Sequence, residues 1–440
     1  MRFPLRRLAC ALALALSAPA GAGGTEHVAD GWAEAQARLA RVLSIVEPAA
    51  AEPVFAVAIM TIGLDLAVTG QHQALIADEQ GNAVGALLRL RTEPAALAAL
   101  LAAAREDQPA DTPVQVVMEP TSLSWLPVAS FFIQREVTVY LVNSQQVADL
   151  RKYYRKHAGS DRISARLLAR LPWVAPEKLH PLQLPSAAAL SGQRGCRQRE
   201  ELTRLSTEIQ NRVQAWERAF WPGLEDVVGD LFSAWMQRWR ETWYDPWLVQ
   251  QGDARMLETF LVDAGLEPTT APALVAGLQT VARQAVALYG TPTGERSPYV
   301  DYAAVQAQVL RELRLLACCE AELQALRAPL RQLYQQVHPS RHLESLRGVG
   351  EDGAAVYAFF AGDIERFATQ PAFRGWSGMI PASDQSGDVE KKGLRISTAG
   401  PDLIRKFAYL NADVARQWDP QLAALYYDQM VRKGKHHCQA

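Results

Sequence analysis

The chain has 440 residues, 49% hydrophobic and 21% charged, a globular composition long enough for two or three domains. Its net charge of −2 excludes a global polycation as the means of holding nucleic acid, so any such contact must rest on local basic patches. The five cysteines show neither C-x-x-C spacing nor a Cys/His cluster, which argues against structural zinc and for buried thiols in a reducing compartment.

The chain opens with MRFPLRRLACALALALSAPAGAGG: a basic start, an apolar stretch and small residues at Ala18 to Ala20. That is the form of a secretory signal. Residues 1–54 read either as such a signal or as an upstream extension from a mis-chosen start, since Met60 directly precedes TIGLDLA. No other run approaches the ~20 apolar residues of a membrane span.

Residues 55–180 alternate strand and helix signals. Strands are expected at 56–66, 72–78 and 83–91, the third after the turn DEQGN. A helix over 94–105, a strand at 114–119, a helix near 122–133 and a strand at 136–142 follow, then helices near 144–156 and 161–170. Three strands in hairpin succession and then α, β, α, β predict a mixed sheet with helices on its faces, an α/β domain of ribonuclease-H order.

Residues 198–340 predict an all-α insertion. Trp235, Trp239, Trp243 and Trp247 recur every four residues, suited to one helix face in a core or against a partner, with base stacking the alternative. Val309, Leu316, Leu323, Leu330 and Val337 share one heptad position, and Cys319, Leu326 and Leu333 the complementary one. This pattern favours a coiled coil that joins copies of the chain, although an intramolecular helical hairpin produces it as well.

Residues 341–425 form a third, mostly α unit, with 426–440 as a tail. HLESLRGVGEDGAAVYAFF has the shape of a helix-hairpin-helix turn, in which Gly348 and Gly350 would let amides approach a phosphate. A Gly/Pro/Ser-rich loop is expected over 377–393, then a helix carrying Arg405 and Lys406.

Asp65 lies inside an apolar strand, where an unpaired carboxylate is costly. Glu119 ends the fourth strand, and in a ribonuclease-H arrangement the first and fourth strands are neighbours. Asp161 begins a helix. The three carboxylates together suit Mg2+ (or Mn2+), which prefers hard oxygen ligands and can hold the oxygens of a phosphoryl displacement. Taken singly, each acid reads equally as a cap or a surface charge. Arg151, Lys152, Arg155, Lys156, Arg162 and Arg166 surround Asp161, and Lys391, Lys392, Arg395 and Arg405 lie in the third unit. Such runs are either solvated faces or phosphate contacts with strong salt dependence.

GLDLA, VVMEPTSLSW, VYLVNSQQVADLR and SDRISARLLARLP appear in this order, followed far downstream by LRGVG, FRGWSGMIP…QSG and RISTAGPDLIRKFAY. Together they resemble the DEDD transposases of insertion sequences, of the IS110 type, over about residues 60–180 and 341–425. The resemblance implies a RuvC-like nuclease domain, a coiled-coil insertion and a C-terminal transposase domain bearing a serine. It also implies recombination of element-end and target DNA guided by a structured RNA. By position Asp65, Glu119 and Asp161 match the first three acids, and Ser386 matches the serine nucleophile, with Ser383 and Ser397 as nearby competitors. The fourth acid of the family's D-x-x-D pattern is replaced by Ser164, a poorer Mg2+ ligand.

A DNA recombinase working in the cytoplasm is therefore expected, and it favours the mis-chosen start over export. The alternatives are a RuvC-like junction nuclease needing only the acids, a catalytically impaired nucleic-acid-binding remnant suggested by Ser164, and an exported helical interaction protein suggested by residues 1–24.

Overall fold

Met60–Asp65, buried on both faces, forms β1 at the centre of a five-stranded sheet. The structure, a computed structural model, describes residues 59–142, 147, 161–176, 179–293, 295–296, 299–381, 385–386, 389–390 and 394–437, with the backbone alone at 161–163, 385–386 and 389–390. The chain divides into two compact units between Pro185 and Ser186.

In the first unit β1, β2 (His72–Ala77) and β3 (Ala83–Leu90) form an antiparallel meander. Helix α1 (Pro94–Arg105) leads to β4 (Val114–Met118), which pairs in parallel with β1. Helix α2 (Trp125–Ile133) leads to β5 (Thr138–Leu141), parallel to β4. The strand order is β3-β2-β1-β4-β5, the ribonuclease-H-like topology expected from the sequence. Alternation along the strands divides the core. Ile62, Leu64, Val116 and Met118 pack with Leu97, Leu100 and Leu101 of α1 and Phe132 of α2. On the other face, α3 (Asp161–Val174) sets Leu168 and Leu171 against Val117, and Ala165 and Ala169 against Leu75 and Ala77. The helix expected over 144–156 lies outside the described residues, apart from Val147.

The second unit is mostly helical. Helix α4 (Ala187–Phe220) runs antiparallel to a long helix at Tyr302–Val337. Tyr302 donates to the Phe220 carbonyl at 2.8 Å, Arg212 pairs with Glu312 at 2.7 Å, and Gly195 faces Leu330. Between them come α5 (Leu224–Val228), α6 (Ala234–Thr242), α7 (Pro246–Gln251), α8 (Ala254–Asp263) and α9 (Ala271–Tyr289), which makes the Tyr302–Val337 helix α10. The heptad residues Val309, Leu316, Cys319 and Leu330 are buried in cores of this same chain. Their pattern is met here by packing within the chain, the helical-hairpin alternative.

The four tryptophans do not share one helix. Helix α6 stops at Thr242, and Pro246 starts α7 with Asp245 accepting from the Trp247 amide, because proline lacks the donor that a continuous helix needs. Trp239 is buried against Trp221, with ring centroids 5.0 Å apart, while Trp235, Trp243 and Trp247 pack around the same core. Beneath these rings Arg240, fully buried, donates to both oxygens of Glu217 at 2.5 and 2.8 Å. Cys196 and Cys319 are buried and Cys318 is exposed, and burial pushes the Cys196 thiol up to about 11.

The C-terminal part of this unit centres on α11 (Glu351–Ala361), buried from Gly353 to Ala361. Phe373 of α12 (Gln370–Ser377) and Leu403 and Ile404 of α13 (Asp402–Trp418) share its core, and α14 (Pro420–Tyr427) packs on α13. Ahead of the Gly348–Gly350 turn stands a single 3-10 turn (His342–Ser345) in place of the first helix of a helix-hairpin-helix. The segment read as a loop over 377–393 contains a short hairpin: β6 (Gln385–Ser386) pairs with β7 (Val389–Glu390), and Pro381 bridges Ile396 outside it. No helix among the described residues is long and apolar enough to cross a membrane.

Candidate active site

The register of the central strands brings the first two acids together. Leu64 pairs with Met118 across the parallel ladder, and one residue further Asp65 ends β1 while Glu119 follows β4. Side chains alternate across a sheet, so Asp65 shares the face of Gly63, and Glu119 that of Val117. This is the face covered by α3, and both acids are half-buried.

Contact between β1 and α3 is backbone to backbone. A Cβ on Gly63 would lie 2.2 Å from both the Ala165 carbonyl oxygen and the Ala169 nitrogen. At the far end of the helix Arg170 and Trp173 face Gly81, in the turn beyond β2. Since Ala77 at the end of β2 pairs with Thr61 near the start of β1, α3 runs antiparallel to β1. From the Gly63–Ala165 contact, two strand residues (about 6.6 Å) lead to Asp65 and four helix residues (about 6 Å) lead back to Asp161. The first turn of α3 therefore stands at the strand ends that carry Asp65 and Glu119.

Glycine inside an apolar strand is a recognised sign of close backbone approach, and it was the sequence signal for Gly63 that the motif reading passed over. His72 was missed too, and nothing in its local sequence marks it. It is 3% exposed at the start of β2. Its Nδ1 accepts from the Ala67 amide at 3.0 Å, and its Nε2 lies 2.7 Å from Thr92 Oγ1. An N–H aimed at Nδ1 requires that nitrogen to be unprotonated, so Nε2 carries the proton and donates to Thr92. Burial lowers the His72 pKa and keeps the ring neutral.

Ser164 lies three residues after Asp161, so the two positions share a helix face. Ser164 is 3% exposed, on the side of α3 turned to the sheet. A hydroxyl there leaves α3 with one carboxylate where the D-x-x-D pattern has two.

Among the described side chains no group of three His, Cys, Asp or Glu is placed to hold a metal, and the Asp161 side chain lies outside that description. The donor chemistry fits a hard cation nonetheless: two carboxylates end neighbouring strands, and a third acid opens the helix across them.

The remaining predicted residues fall elsewhere. The backbone of Ser386 sits on β6 opposite Val389, in the second unit, while Ser383 and Gly387 lie outside the described residues. Arg151, Lys152, Arg155, Lys156, Lys391 and Lys392 also lie outside them, as does the side chain of Arg162. Arg166 and Arg395 are exposed. Arg405 is engaged within the chain, where its Nη1 donates to the carbonyls of Ser377, Ala399 and Gly400 at 3.3, 2.7 and 3.0 Å. Lys406 pairs with Glu200 at 2.6 Å.

The Gly348 turn also has an internal purpose. With φ of +82°, Gly348 approaches the Asn411 carbonyl oxygen so closely that a Cβ would sit 2.4 Å from it. Gly350 caps α11 in open space, but the first turn of α11 carries Glu351 and Asp352. Glu351 pairs with Arg331 and Asp352 with Arg199, so both acids of this first turn are engaged by arginines.

Two family models match the chain. One, described as a transposase, covers residues 62–222, and the other, described as the transposase IS116/IS110/IS902 family, covers residues 340–427. A search of curated proteins returns no match.

Proposed function

Because the chain belongs to the IS116/IS110/IS902 family of transposases, we propose that it cleaves and exchanges strands of insertion-sequence DNA with the acids at the end of β1 and β4 and with Ser386. The observation that carries this reading is the register that sets Asp65 beside Glu119 under the first turn of α3. Asp65, Glu119 and Asp161 would hold Mg2+ (or Mn2+). Bound there, the cation supplies electrostatic stabilisation of the charge that develops on phosphate oxygens.

Ser386 Oγ attacks the scissile phosphorus. A Ser–O–P bond forms, the bond from phosphorus to the leaving deoxyribose oxygen breaks, the serine proton passes to solvent, and the leaving oxygen takes up a proton to depart as a hydroxyl. Attack on that phosphoserine by the hydroxyl of the incoming strand restores the serine, so the energy of the phosphodiester is retained and rejoining needs no ATP. The basic run around Asp161 and the group Lys391, Lys392 and Arg395 contact nucleic acid backbones, element-end and target DNA together with a structured guide RNA. The active species is an oligomer that acts in the cytoplasm.

The test is metal-dependent nicking of element-end DNA by the full chain. D65N and E119Q each abolish nicking while DNA binding persists. Normal nicking by either variant refutes the acid assignment. The buried Ser164 supports a second reading, a weakened metal site, and S164D then strengthens Mg2+ binding in calorimetry. Unchanged affinity removes Ser164 from the site.

A further inference from the structure

We infer that His72 is a positioning residue for Asp65, an inference that rests on the metal-site reading above. Asp65 is the last residue of β1, and the chain leaves the sheet there through Leu66 and Ala67 into exposed residues 68–71. Ala67, two residues past the carboxylate, gives its amide to His72 Nδ1 at 3.0 Å. The other ring nitrogen is tied to Thr92, in the connection that follows β3, at 2.7 Å. One buried ring therefore joins the exit of β1 to the exit of β3, across the start of β2. Leu66, 4% exposed, packs into the core between the two anchored points.

The arrangement confines the backbone on the far side of Asp65. On its near side, Gly63 is pressed against α3. Asp65 thus lies between a helix contact two residues before it and a histidine clamp two residues after it. A carboxylate that must meet Glu119 and an acid on α3 at ligand distances depends on how firmly its backbone is held. Groups that hydrogen-bond a ligating side chain directly are worth about 10- to 100-fold in metal affinity, and a clamp on the backbone beside the ligand is expected at the lower end of that range.

The experiment measures Mg2+ binding to the full chain by titration calorimetry, together with hydrogen exchange at the Ala67 amide. H72F fills the buried volume but offers no acceptor. It raises the Mg2+ Kd by about tenfold or more and speeds exchange at Ala67. H72N keeps an acceptor at the Nδ1 position and holds Kd within about threefold of the parent chain. D65A is the control that loses Mg2+ binding. If D65A loses binding while folded H72F binds like the parent, the His72 inference fails and the site reading stands. If the parent chain binds no Mg2+, or D65A binds as well as the parent, the site reading fails and this inference with it. Should H72F not fold, T92V decides, because Thr92 is exposed and the change removes only the outer hydrogen bond. Faster Ala67 exchange and weaker Mg2+ binding support the clamp, and no change in either overturns it.

Discussion

Gly63 meets Ala169 with no side chain between them: a Cβ on Gly63 would lie 2.2 Å from the Ala169 nitrogen and 2.7 Å from its Cα. This single approach sets the height of α3 above the sheet and thereby the distance between Asp161 on the helix and Asp65 on the strand. Both obstructing groups are backbone, so no rotamer change can relieve an added methyl.

Gly63→Ala therefore forces α3 away from β1. Overpacking of this kind costs about 3 kcal/mol. Chemical denaturation of the full chain should show that loss, and metal-dependent nicking should fall by more than the unfolded fraction explains. An unshifted midpoint would mean that the helix and strand are not in contact.

The Glu217–Arg240 pair gives an asymmetric expectation. Neither side chain is more than 1% exposed, and the carboxylate accepts twice from the guanidinium. Removing one partner strands a buried charge, so R240M and E217L each destabilise the second unit by about 3–5 kcal/mol. The double variant, which leaves neither charge, loses much less than the sum. Additive losses in a double-mutant cycle would show that the pair is not coupled.

Gly348 and Gly350 separate packing from ligand contact. Gly348→Ala combines a left-handed residue with a collision at the Asn411 carbonyl, and about 3 kcal/mol of stability is lost. Gly350→Ala meets open space and costs less than about 1 kcal/mol. If the turn serves packing alone, G350A leaves DNA affinity unchanged. A tenfold loss of affinity in a stable G350A chain would establish a phosphate role for the turn.

His72 links stability to pH. Burial holds its folded-state pKa below the ordinary value of 6.5. The unfolded chain then binds the proton more readily, so the contribution of the neutral ring is present above that value and is lost as pH falls through the folded pKa. The charged groups on the elements around it are Asp65 on β1, Arg89 on β3, and Arg91 and Glu93 beyond it. The stability gap between the parent chain and H72N should narrow as pH is lowered from about 7 to about 5. A constant gap would show that the ring does not titrate.

The sheet was legible in the sequence because strands buried on both faces read as near-continuous apolar runs: MTIGLD and VQVVM are mostly apolar, and their order implied that Asp65 and Glu119 would be neighbours. What joins those acids to α3 was less legible. Gly63 reads as a weak strand residue until the helix above it is seen, and His72 is defined by partners 5 and 20 residues away. The tryptophan series was misread for a local reason, since spacing by fours was weighed without the Asp245–Pro246 stop inside it. The heptads marked α10 correctly as a packing helix but could not say whether its partner was α4 or another chain, because knobs and holes look alike in both.

The central claim is that Ser386 carries the strand during exchange, and trapping the linkage tests it most directly. Labelled element-end DNA is incubated with the full chain, its flanking RNA and Mg2+, quenched in detergent, and resolved on a denaturing gel. The account predicts a DNA–protein adduct that disappears in S386A, with strand exchange lost and DNA binding retained. An adduct of undiminished yield in S386A, or normal exchange by that variant, would contradict it.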